Sequence, residues 1–268
     1  MKTLLDARAV QTALAKEGLY TAKIDGDIGP KSMAAFDASL PNKWPIERKA
    51  VAYQQKMMAA LGIETGAIDG FVGPQTLAAV DAYEHLMKTG SLPNWRDPLM
   101  LPATSDDRFP DPVKNTWPTQ ANVTRTYGPV GQNQAMLSLP FPMRIAWDKT
   151  KTVSRFSIHE KVHDSAKRVF DRIADAYPDG RRQALGIDLF GGCLNVRKMR
   201  GGSAYSMHSW GIAIDFDPER NQLKWGRDRA QLAKPEYETF WRLWTEEGWL
   251  SLGKARNFDW MHVQGARL

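Results

Sequence analysis

The chain has 268 residues and a net charge of +6, and its 43% apolar and 25% charged residues place it in the globular range. That length accommodates one large domain or two modest ones. The single cysteine, Cys193, excludes an internal disulfide framework, a thiolate zinc cage and a CxxC redox pair.

No run of 18 apolar residues occurs, so no transmembrane segment is expected, and Asp6 and Arg8 interrupt the N-terminus too early for a secretory leader. Residues 1–92 carry ten basic and ten acidic side chains, so the positive excess lies in the remaining 176 residues. A basic surface favours anionic partners such as cell-wall polymer. No basic run is interleaved with aromatics, so a nucleic-acid partner is not expected.

The first ninety residues contain a duplication. GLYTAKIDGDIGPKSMAAFDA, from Gly18, matches GIETGAIDGFVGPQTLAAVDA, from Gly62, at a constant offset of 44. Each copy reads as helix, turn, helix: Asp-Gly supplies a tight turn, and Pro30 or Pro74 sits at the first position of the next helix. The apolar face expected for those helices is Met33/Phe36 in one and Leu77/Val80 in the other, following Ser32 and Thr76. A helix pair this short cannot bury its face alone, so the two copies are expected to pack together. The stretch D-G-x-x-G-P-x-T, complete from Asp69 to Thr76 and with Ser32 replacing threonine in the first copy, resembles the peptidoglycan-binding domains of cell-wall hydrolases. That resemblance implies an all-α wall-binding module over residues 1–90.

Residues 91–116 are rich in proline without sustained periodicity and read as a linker. Beyond it, residues 117–268 read as an α+β domain, a small antiparallel sheet flanked by helices. An amphipathic helix is expected over 158–177, with Ile158, Val162, Ala166, Val169, Phe170, Ile173 and Tyr177 on one side. Another is expected from Pro235 to Gly248, with Tyr237, Phe240, Trp241 and Trp244 on one face. Between them CLNVR and GIAIDF alternate like short strands.

Two groups of histidines compete for a metal. His159-Glu160-Lys161-Val162-His163 fits H-E-x-x-H, in which two histidines one helical turn apart share zinc. It lacks a third ligand downstream, and Lys161 stands where such enzymes bury an apolar residue. The second group begins S-M-H-S-W-G-I-A-I-D, from Ser206 to Asp215, and is completed by D-W-M-H, from Asp259 to His262. On a strand through Gly211–Phe216, Asp215 shares a face with small Ala213, and His208 can curve back toward it. His262 supplies a third ligand, leaving a tetrahedral zinc one open position. Asp259 is the natural general base, although strict strand geometry would place it on the face opposite His262, so a turn or bulge is required between them.

The pattern S-x-H-x-x-G-x-A-x-D followed by D/E-x-x-H resembles the zinc D-Ala-D-Ala carboxypeptidase and L-alanyl-D-glutamate endopeptidase family, the LAS metallopeptidases. The resemblance implies that His208, Asp215 and His262 hold Zn2+, that Asp259 is the base and that Ser206 lines the substrate site. It also implies an upstream arginine that binds substrate and stabilises the oxyanion. Arg197 and Arg200 are the candidates, with Arg197 favoured for the catalytic role and Arg200 for substrate binding. The expected function is zinc-dependent cleavage of peptidoglycan stem peptides, at the L-alanyl-D-glutamate bond, in a phage endolysin. Such an enzyme would wait in the host cytoplasm as a monomer and act on the wall once the membrane is breached. The alternatives are a D-Ala-D-Ala carboxypeptidase using the same site, or a non-catalytic wall-binding structural protein.

Overall fold

The computed structural model of the chain describes residues 3–40, 43–100 and 116–268. The chain forms two compact units, Met1–Arg96 with Arg200–Ser203, and Asp97–Met199 with Ala204–Leu268. Most of the expected linker, residues 101–115, lies outside the described residues.

The N-terminal unit is helical: α1 (Ala7–Lys16), α2 (Pro30–Ser39), α3 (Ile46–Ala60) and α4 (Pro74–Thr89). Asp6 caps α1 by accepting the amide of Ala9 at 3.0 Å. Pro30 and Pro74 open α2 and α4, where a missing N–H costs nothing. Val10, Leu14, Phe36, Tyr53 and Met58 build one core, with the Phe36 and Tyr53 rings 5.7 Å apart.

A buried amide organises each half of this unit. Gln11 accepts from Gly26 N at 2.8 Å and donates to Asp25 Oδ1 at 2.8 Å and to Asp27 O at 2.9 Å. Gln55, 44 residues on, accepts from Gly70 N at 2.8 Å. Its amide nitrogen donates to Asp69 Oδ1 and Phe71 O, both at 3.2 Å, and to Thr76 Oγ1 at 3.0 Å. These bonds correct the expected face of α4. Leu77 is exposed, and Thr76, Ala79 and Tyr83 face inward, because the buried Gln55 amide needs the threonine hydroxyl as a partner.

The second unit follows the order α5 (Val123–Tyr127), β1 (Gln134–Ile145), β2 (Asp148–His159), α6 (Glu160–Ala176), α7 (Asp179–Leu185), β3 (Leu189–Gly192), β4 (Ala213–Phe216), α8 (Glu238–Glu246), β5 (Leu250–Ser251), α9 (Leu252–Arg256) and β6 (His262–Gln264). The strands form one sheet in the order β2-β1-β3-β4-β6-β5. The antiparallel sheet expected from the sequence is in fact mixed, since β1 and β3 run parallel through Arg144↔Leu189 and Ile145↔Phe190. Since β2 returns antiparallel to β1, β3 also runs opposite to β2.

Two further expectations are corrected. The segment Cys193–Arg197 is not a strand; β3 ends at Gly192 and the chain then runs irregularly to an isolated bridge between Lys198 and Tyr205. The helix expected from residue 158 starts at Glu160, because Ile158 and His159 still pair with β1. Its apolar face is otherwise as the periodicity indicates, with Val162, Ala166, Val169, Phe170 and Ile173 buried. Phe170 lies 5.5 Å from Trp244 and 6.2 Å from Phe216, so α6, α8 and β4 close over one aromatic core. Trp241 and Trp244 are fully buried members of that core.

Candidate metal centre

Asp215 on β4 pairs directly with His262 on β6, so two chemically active side chains face each other across adjacent strands. The third, His208, comes from a single 3-10 turn, Met207–Trp210. Gly211 ends that turn with φ +68°, a conformation a side chain disfavours, and Gly211 N donates to His208 O at 3.0 Å. The reversal swings the chain into β4 and returns His208 to Asp215.

The three side chains converge. His208 Nε2 lies 3.1 Å and His262 Nδ1 3.0 Å from Asp215 Oδ1, and the two nitrogens are 3.2 Å apart. Ligands held about 2.0–2.1 Å from a tetrahedral zinc stand about 3.3 Å from one another, so this triangle fits three corners of that polyhedron. Two imidazoles and a carboxylate are also the donor chemistry zinc takes. Among the described residues this is the one such group of three or more. Both histidines are 3% exposed, while the Asp215 side chain keeps 16% of its surface accessible, which leaves the triangle reachable from that side.

Each imidazole is held from behind. His208 Nδ1 lies 2.6 Å from Cys193 O; a carbonyl only accepts, so Nδ1 carries the proton and Nε2 presents its lone pair to the triangle. His262 Nε2 lies 3.0 Å from Gln264 Oε1. Burial depresses the His208 imidazole below its usual range against the pull of the Asp215 carboxylate, and the Arg197 charge acts in the same direction as burial. Burial alone would raise the Asp215 carboxyl. The interaction with the two neighbouring imidazoles outweighs that and holds it well below the usual carboxylate range, so Asp215 offers a carboxylate to the triangle.

Asp259 lies in the turn that feeds β6. It adopts φ +57°, its amide donates to Leu223 O at 2.9 Å, and its carbonyl accepts from His262 N at 3.0 Å. The tight turn required between Asp259 and His262 is therefore present, and Asp259 is 3% exposed. Ser206 is buried and caps the 3-10 turn through its backbone, with its amide bonded to Arg197 O at 3.0 Å. Arg197 sits in irregular chain rather than at a strand end. Ser209 Oγ clamps its backbone, accepting from Arg197 N at 3.0 Å and donating to Arg197 O at 2.7 Å. Arg200 groups with the N-terminal unit, where its Nη2 is 3.4 Å from Gln75 Oε1.

The rival H-E-x-x-H string is taken apart by the fold. His159 ends β2 and caps α6, accepting from Lys161 N through Nδ1 at 3.1 Å, with Nε2 2.8 Å from Tyr127 O. His163 instead pairs with Asp164 at 2.7 Å. Sequence reasoning missed Gln264 and the Cys193 carbonyl. Of these, only Gln264 left a trace, two residues beyond His262 on the same strand face.

A buried His-Asp-His triangle is a candidate metal site whose donor set is one that zinc takes. Within the chain, residues 200–265 match an M15 peptidase family model described as D-alanyl-D-alanine carboxypeptidase, a segment that holds all three candidate ligands and Asp259. No curated protein matches the chain, and no solved structure does.

Proposed function

We propose that the chain is a zinc peptidase of peptidoglycan stem peptides, with the terminal D-alanyl-D-alanine bond as its first candidate substrate. The observation that carries this reading is the 3.0–3.2 Å triangle of His208, Asp215 and His262 inside the segment that matches the carboxypeptidase family. Zinc held there would supply Lewis-acid activation of water and of the scissile carbonyl. Asp259 accepts the proton of the attacking water and returns it to the leaving amine. Arg197, whose charge acts on His208, orients the substrate carboxylate, with Ser206 beside the turn; Arg200 is the second candidate for substrate binding.

The sequence resemblance to endopeptidases that cut L-alanyl-D-glutamate, joined to an N-terminal module, supports a second reading, a wall-lysing enzyme of the endolysin type. The matching bonds of Gln11 to Asp25 and Gly26, and of Gln55 to Asp69 and Gly70, support treating residues 1–90 as two copies of one unit; its wall-binding role, with 91–116 as linker, rests on the sequence resemblance alone. Mass spectrometry of muropeptides digested by the zinc-loaded protein separates the two. Loss of a single terminal alanine supports the carboxypeptidase, and release of peptides that begin at D-glutamate, with L-alanine left on the glycan, supports the endopeptidase. Asp259→Asn is expected to lower kcat by ~10²–10⁴-fold with zinc content unchanged; full activity in that variant would refute the assignment of the base.

A further inference from the structure

We infer that Gln264 is the positioning residue that locks His262 in the one neutral form able to offer Nδ1 to a cation. The inference rests on the metal-peptidase reading and extends it beyond the three ligands. Gln264 is 1% exposed and lies two residues after His262 on β6, so both side chains leave the same face of the strand.

The direction of the Gln264 amide is decided by a group that has no choice. The Ala266 carbonyl only accepts, and Gln264 Nε2 lies 2.9 Å from it. The amide oxygen is therefore turned to His262 Nε2, at 3.0 Å, and because that oxygen only accepts, Nε2 must carry the proton. A neutral imidazole protonated on Nε2 has its lone pair on Nδ1, the atom facing Asp215 and His208. With the Cys193 carbonyl fixing His208 in the opposite sense, two nitrogen lone pairs and a carboxylate oxygen meet within 3.2 Å. Three acceptors so close repel one another unless a cation lies between them.

The Ala266 carbonyl is itself anchored by a distant segment. Arg267 N donates to Pro118 O and Gln120 N to Arg267 O, both at 2.8 Å, which pairs residues 118–120 with the chain just after Ala266. The relay thus runs from a backbone tie through an amide to the ligand. Such outer hydrogen-bond partners set metal affinity by ~10–100-fold in other metal sites.

The test is zinc affinity by chelator competition on the full chain, with urea unfolding of the metal-free protein as the check on folding. Gln264→Leu, which removes the acceptor, is expected to weaken zinc binding ~10–100-fold. Gln264→Glu, which keeps an acceptor for His262, is expected to recover much of that loss. If Gln264→Leu does not fold, Gln264→Asn decides: one carbon shorter, it cannot reach His262, and should bind zinc more weakly than Gln264→Glu. Wild-type affinity in the Leu or Asn variant would overturn the inference, as would equal weakness of Leu and Glu, which would mark a packing effect. A wild-type chain that took up no zinc would overturn the metal reading and this inference together. Zinc binding by wild type and Gln264→Leu alike would overturn this inference alone.

Discussion

Gly191→Ala is expected to impair the metal centre without touching a ligand. Gly191 lies at a register shift between β3 and β4, where Phe190 pairs with Phe216 but Gly192 pairs with Asp215. Irregularities of this kind beside functional sites re-aim a side chain. A β-carbon on Gly191 would stand 2.9 Å from both Cβ and the carbonyl oxygen of Asp215, and 3.1 Å from its carbonyl carbon. Carbon atoms in comfortable contact are about 3.5–4.0 Å apart, so Asp215 and its strand must retreat by roughly 0.6–1 Å. Metal–ligand distances tolerate only about 0.2 Å, so the displacement exceeds what the centre can absorb. Overpacking of this sort costs ~1–3 kcal/mol of folding stability. Urea unfolding of the metal-free protein should show that loss, and chelator competition should show zinc affinity lowered ~10-fold or more. Gly180→Ala is the control: Gly180 is an exposed residue of α7 with open space around its α-carbon, and the change should add up to ~1 kcal/mol and leave zinc affinity alone. Wild-type zinc affinity and stability in Gly191→Ala would refute the reasoning.

Two further outcomes concern stability. Burial holds the His159 imidazole below its usual value of about 6.5, so the folded chain refuses a proton that the unfolded chain accepts. The corresponding stability is full above about pH 6.5 and falls as the pH drops from there toward the lower folded-state value; His159→Asn, which can still cap α6, should flatten the urea-midpoint profile between about pH 7.5 and 5. An unchanged slope would show that another group governs the acid limb. In the helical unit, Gln55→Leu strands the Gly70 amide and should cost ~1–3 kcal/mol, with Gln11→Leu costing a similar amount through Gly26. A loss well below that range in chemical denaturation would show that water replaces the amide.

The candidate ligands were legible because their spacing is local. His208 and Asp215 lie seven residues apart across one turn and one strand, and the Asp259-Trp-Met-His262 run carries its own turn. The aromatic face of α8 and the inward side of α6 were equally readable, since helical periodicity reports burial directly. The long hairpin β1–β2 escaped, for two physical reasons. Burial alternates along β1 from Leu137 to Met143, but Pro140 and Pro142 stand on its outward side where the register shifts, and proline argues against a strand; much of β2 is exposed and polar and shows no period of two.

His159 illustrates the opposite failure. H-E-x-x-H presumes a helix under all five letters, yet β1 recruits His159 into the sheet through Gln134 and leaves it to cap α6. A five-residue window cannot contain that pairing, because the partner lies 25 residues upstream.

What the sequence determined alone is the chemistry on offer: which residues could hold a metal, a carboxylate three residues before His262, and two copies of a turn motif at the N-terminus. The tertiary structure decided which offer is taken up. It set β4 against β6 so that Asp215 meets His262, brought the Cys193 and Ala266 carbonyls behind the imidazoles, and let Gly191 approach Asp215 closely. Lone-pair directions and sub-ångström clearances depend on strands far apart in the chain, and those relations exist only once the sheet has formed.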